Sequence, residues 1–156
     1  MDKTPNKGSK KYSIPTIKLS YVSDGIAIKP RCDSPSITAQ YIRDSYEEGE
    51  IGYRERFNVV YLNRANKMIG INTVSIGGTD STVVDRKIIF AGALLANATS
   101  IIISHNHPSG NTLPSIQDDK LTRDIKLGCE TLGLNLLDHI ILTDTDYYSY
   151  RNEGKL

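Results

Sequence analysis

Residues 101–110 read Ile101-Ile102-Ile103-Ser104-His105-Asn106-His107-Pro108-Ser109-Gly110. Three consecutive isoleucines predict a central strand covered on both faces, because a strand with one wet face alternates apolar and polar residues. The run ends at Ser104 and passes directly into two histidines, a proline and a glycine. The carboxyl end of a buried strand is where open α/β sheets hold ligands, so the fold and a candidate site meet in this one stretch.

The flanking segments follow by period. From residue 53 onward, Glu55, Phe57, Val59 and Tyr61 alternate onto one face of a strand, with Val60 and Leu62 on the other. Residues 63–67 predict a hairpin connection into a strand over 68–76, which Gly77-Gly78-Thr79-Asp80 breaks. A helix is expected over 85–97, where Ile88, Ile89, Ala91, Gly92, Leu95 and Ala96 recur near helical spacing. After the histidines come a helix from Ser115 to about Leu132, a strand over 134–142 and a short edge strand over 147–150. Near the start, residues 14–22 predict a strand and Ser23-Asp24-Gly25 a turn. Ser34-Pro35 then opens a helix running to about Glu48, before Gly49. The order β-α-β-β-α-β-α-β predicts an α/β fold with a mixed sheet and helices on its faces.

Residues 1–13 carry Lys3, Lys7, Lys10 and Lys11 against Asp2 and predict a flexible basic tail, leaving 14–156 as a single domain. The 156 residues suit one domain, 38% hydrophobic and 24% charged as in soluble globular proteins. Lys+Arg of 19 against Asp+Glu of 18 leaves no global electrostatic footprint for nucleic acid or an anionic membrane. No apolar run approaches the roughly 20 residues that span a bilayer, and the first residues lack a secretory apolar segment. The expected location is the cytoplasm. Cys32 and Cys129, two and far apart, do not make a disulfide scaffold.

His105 and His107, two apart in an extended segment, direct both rings to one side. Ser115 follows eight residues after His107, and Asp118 three later. Two neutral imidazoles and a carboxylate are suitable zinc ligands, and three protein ligands leave a fourth position for water. Such chemistry also needs a carboxylate outside the ligand set to move a proton, and Glu55, charged yet on an inward-facing strand position, is the candidate. Other readings stand beside these. Ser115-x-x-Asp118 is also the pattern of a helix capping box, Asp119 is a neighbouring ligand choice about 100° further round the helix, and Glu55 fits a strand-end surface charge. With three His, 14 Ser and 12 Asp in the chain, H-x-H-x7-S-x2-D arises by chance in roughly one in three thousand such sequences.

With Glu55 upstream, His105-x-His107 and Ser115-x-x-Asp118 resemble the JAMM motif of the JAB/MPN metalloprotease superfamily. HNHPSG (105–110), PSIQD (114–118) and LDHIIL (137–142) resemble its RadC branch more narrowly. The resemblance runs from Glu55 to Gly154. It implies a three-layer α/β/α sandwich of the cytidine deaminase-like type. It also implies one zinc ion per chain on His105, His107 and Asp118, Glu55 as general acid/base, and Ser115 as hydrogen-bond donor to the oxyanion. The reaction implied is hydrolysis of a peptide or isopeptide bond in a peptide or protein substrate. RadC proteins commonly carry an N-terminal helix-hairpin-helix module, for which the first 50 residues here are too short and too strand-like. Two other functions remain open at this point: a DNA-associated accessory, suggested by the family and the basic tail, and a non-catalytic zinc-binding docking module.

Several residues carry plainer expectations. His139, at the start of an apolar strand, is a satisfied structural histidine or one that orients a metal ligand, with Asp138 its hydrogen-bonding neighbour or a turn residue. Ser104 and Ser109 are expected to bond within the histidine loop, and Cys129 to pack in the core. Tyr147, Tyr148 and Tyr150 are expected to pack a final edge strand rather than stack on a base.

Overall fold

A computed structural model describes residues 29–78 and 83–156. The expected basic tail (1–13), the strand over 14–22 and the turn at 23–25 lie outside the described residues, as do Thr79 and Asp80. Among the described residues eight elements follow in order: α1 (Pro35–Arg43), β1 (Arg56–Leu62), β2 (Met68–Ile76), α2 (Arg86–Leu95), β3 (Ser100–Asn106), α3 (Ile116–Thr131), β4 (Asn135–Leu142) and β5 (Tyr147–Ser149).

Among the described residues the strands form one sheet in the order β2-β1-β3-β4-β5. β1 runs antiparallel to both β2 and β3, β3 is parallel to β4, and β4 is antiparallel to β5. The sheet is therefore mixed, with the triple-isoleucine strand at its centre. Its parallel step from β3 to β4 needs a crossover, which α3 supplies.

Alternation along the strands divides two cores. Phe57, Val59, Tyr61, Ile101 and Ile103 pack with Ile89 and Ala93 of α2 and Ile125 and Cys129 of α3. On the opposite face, Val60, Leu62, Ile102, Ile140 and Leu142 pack with Ala39 and Ile42 of α1. The result is a three-layer α/β/α sandwich; among the described residues, α1 covers one face and α2 and α3 share the other.

The helices begin where side chains satisfy their first amides. Ser34 Oγ accepts from Ile37 N at 3.3 Å ahead of Pro35, and Asp85 Oδ1 accepts from Lys87 N at 2.9 Å. α1 ends at Arg43 rather than near Glu48. Ser45 Oγ donates to Ile42 O at 2.6 Å, and the chain turns so that Tyr46 OH reaches Arg56 O and Asn106. β1 begins at Arg56, a little after residue 53, because a turn closes with Tyr53 N on Glu50 O. Glu55 nevertheless pairs with the far end of β2, donating from its amide to Gly78 O (2.8 Å) and accepting from Gly77 N (2.9 Å). β3 continues through His105 and Asn106, so the histidine segment begins inside the sheet.

Candidate metal centre

The site lies where β3 leaves the sheet and α3 begins. His105 is buried and shares the face of Ile101 and Ile103, with the Phe57 ring nearly parallel to it at 6.2 Å. His107 lies just past the strand, its amide donating to Leu142 O at 2.8 Å, which keeps the segment extended. Both rings therefore face the same side, toward the first turn of α3.

Ser115 caps α3 and Asp118 is its third residue. Ser115 Oγ accepts from Asp118 N (3.1 Å), while the Asp118 carboxylate accepts from Ser115 N (2.7 Å) and from the Ser115 hydroxyl (2.6 Å). The capping reading and the ligand reading thus hold together: the box aims Asp118 at the histidines. His105 Nε2 lies 3.2 Å from Asp118 Oδ1, and His107 Nε2 3.8 Å from Oδ2. Asp119 does not join them. It accepts from Tyr150 OH at 2.8 Å and faces Lys155.

The hydrogen bonds around the rings fix their tautomers. His107 Nδ1 is 2.6 Å from Asn111 O, and a carbonyl only accepts, so Nδ1 carries the proton and Nε2 keeps its lone pair. The Thr122 hydroxyl donates to Asp118 O at 2.6 Å, so toward His139 Nδ1, also at 2.6 Å, it accepts. His139 therefore has its proton on Nδ1, and its Nε2 accepts from His105 Nδ1 at 2.9 Å. His105 is left with a lone pair on Nε2, facing His107 Nε2 across 2.9 Å.

Two imidazole lone pairs and a carboxylate thus converge on one point, their ligand atoms within 4.8 Å of one another. Electron-pair donors meeting this way are satisfied by a cation between them, so the residues fit a divalent metal ion. Burial alone would raise the Asp118 carboxyl. The neighbouring His105, with the hydroxyl and amide of Ser115, outweighs burial and holds it far below the usual carboxylate range. Burial, then the neighbouring His105, lowers His107 against the opposing pull of Asn111 O and Asp118. His139, completely buried, is pushed well below its ordinary value by the same two causes. Both shifts favour the neutral imidazole, the form in which His107 can ligate a metal.

Glu55 and Ser115 line one cavity of about 350 Å³ with His107, Pro108, Ser109, Asn111, Leu113 and Pro114. The structure therefore brings together all five positions singled out in the sequence. His139 is fully buried and hydrogen-bonded to His105, as expected of a satisfied structural histidine. Two expectations change. Ser104 lies within β3, its hydroxyl buried without a partner among the described residues, and does not bond in the loop. Tyr150 follows β5 and stacks on His139 at 4.8 Å. Sequence reasoning misses the parts played by Thr122, Asn106 and Tyr150. Thr122 sits one helical turn after Asp118, a usable signal. Nothing local marks Tyr150, which comes from the other end of the chain.

Comparison with known proteins assigns the chain to a family. The family model described as RadC-like JAB domain matches residues 32–155. A UPF0758 protein of Flavobacterium johnsoniae is 43% identical over 106 residues, covering 68% of this chain and 46% of the relative. One from Desulfitobacterium hafniense is 36% identical over 135 residues, covering 86% and 58%. One from Thermotoga maritima is 39% identical over 103 residues, covering 66% and 46%. The chain spans about half the length of the curated relatives it matches.

Proposed function

Because the chain belongs to the RadC-like JAB domain family, we propose that it is a zinc-dependent metallopeptidase-type hydrolase acting on a peptide or isopeptide bond. The observation that carries this reading is the convergence of His105 Nε2, His107 Nε2 and the Asp118 carboxylate, with both tautomers fixed from behind. A divalent ion held there supplies Lewis acidity and a nucleophile from water near neutral pH.

The protein's own groups account for the rest. Glu55 lines the cavity beside His107, where its carboxylate takes the proton of the attacking water and returns it to the departing amine nitrogen. Ser115, on the same wall, turns its hydroxyl from Asp118 to the developing oxyanion. Leu113 and Pro114 give that wall an apolar surface on which an amide-bearing chain can lie. Both cysteines are free and buried, in keeping with a reducing, cytoplasmic setting.

Elemental analysis of untagged protein tests the reading. About one zinc per chain is expected for wild type and Glu55→Gln, and little for His107→Ala, as three-ligand sites do not survive loss of a ligand. Glu55→Gln should then lower peptide hydrolysis by roughly 10²–10⁴-fold while zinc stays bound. Wild-type protein that neither carries nor takes up zinc overturns the proposal and leaves a docking role for the domain.

A further inference from the structure

The residue between the two histidines is Asn106. Side chains alternate along β3, so with His105 toward α2 and α3, Asn106 points into the α1 face. It is 0% exposed, and its amide uses its full bonding capacity. Nδ2 donates to Ile51 O at 2.7 Å and to Arg54 O at 2.8 Å. Oδ1 accepts from Arg56 N at 2.8 Å and from Tyr46 OH at 3.1 Å. Two carbonyls and two donors admit only this orientation of the amide.

The placement of those partners is what matters. Arg54 and Arg56 flank Glu55, so one side chain holds the backbone on both sides of that residue. The β1–β3 ladder ends at Phe57↔His105. Asn106 takes over where the ladder stops. The backbone bonds of Glu55 to Gly77 and Gly78 tie it to β2. Around Asn106, the Arg56 guanidinium pairs with Glu50 (2.9 Å), donates to Thr73 Oγ1 (2.8 Å) and lies 4.8 Å over the Tyr46 ring. This polar layer lies on the opposite face of the sheet from the metal ligands.

We infer that Asn106 is a positioning residue, locking the Glu55-bearing segment to the strand that presents His105 and His107. It fixes the distance between the proton-transfer group and the metal ligands. The inference rests on the reading of Glu55 and the histidines given above. No other small side chain fits the role. Asp loses both donations and sets its charge against two carbonyls, Ser offers one donor, and Gln adds a methylene in a filled site.

The test uses protein labelled with ¹³C at the glutamate carboxyl, titrated with zinc chloride alone. The chain has six glutamates, and Glu55→Gln identifies the Glu55 resonance. In wild type that resonance should shift as one equivalent of zinc binds. Asn106→Ala should bind zinc with the same stoichiometry while the Glu55 shift falls to less than half and the Arg56 amide exchanges at least about tenfold faster. Asn106→Asp and Tyr46→Phe, which remove two and one of the four bonds, should lose the shift partly and in that order, and they carry the test if the alanine variant does not fold. A full Glu55 shift in these variants overturns the inference. Zinc uptake by wild type with no Glu55 response also overturns it, by removing Glu55 from the site. Failure of wild type to bind zinc counts instead against the metal centre.

Discussion

His139 shows what burial does to a single titratable side chain. It is enclosed between His105, Thr122 and the Tyr150 ring, and its pKa lies well below the ordinary value, chiefly from desolvation. In the unfolded chain the same imidazole takes up a proton as pH falls through about 6.5, which the folded protein refuses. The unfolded state then binds more protons, so stability declines as pH drops below that value. His107, also lowered, adds to the slope. Metal-free protein should lose up to about 1.4 kcal/mol per pH unit for each of the two histidines below pH 6.5. Urea midpoints between pH 7.5 and 5.5 measure this, and His139→Gln should flatten the dependence. An unchanged slope in that variant would place the titration elsewhere.

At the scale of elements, α2 packs on the sheet through a missing side chain. A Cβ at Gly92 would collide with the Tyr61 hydroxyl, and Tyr61 is itself buried and donates to Ile89 O. Helix propensity alone favours alanine over glycine by about 1 kcal/mol. Because Tyr61 is packed in the core, Gly92→Ala should instead destabilise the protein, by about 1–3 kcal/mol. Gly70, where an added methyl carbon would meet nothing within 4 Å, is the control and should tolerate alanine. Denaturant unfolding distinguishes the two. A stabilised Gly92→Ala would mean that α2 can slide on its sheet.

For the molecule as a whole, the proposed ligands come from two elements, β3 with its following loop and α3, while Glu55 precedes β1. An ion held by this set binds the folded chain and not the unfolded one. Free zinc at about 100 times its dissociation constant should add about 2.7 kcal/mol. For a chain of this size that raises the melting temperature by roughly 5–10 °C. His107→Ala should show no such shift in the same thermal scan. An equal rise in that variant would locate zinc binding outside the centre.

Much of this was legible in the chain itself. The isoleucine run made β3 central, alternation placed Glu55 and Phe57 on one face, and the strand over 68–76 and the cap at Ser115 fall where the sequence puts them. These are local signals, set by side-chain period and by which residues can close a helix end. The spacing of His105, His107, Ser115 and Asp118 marked a candidate metal site for the same reason, since all four lie within one strand, one loop and one helical turn. Only the tertiary structure decided which tautomers the histidines adopt, that Asp119 turns away to Tyr150, and that Asn106 holds the segment around Glu55. Each depends on partners many residues distant, and no local period encodes them. They follow from chain closure, which brings the turns at 46–56, Thr122, His139 and Tyr150 around β3 and leaves each buried polar group needing a partner.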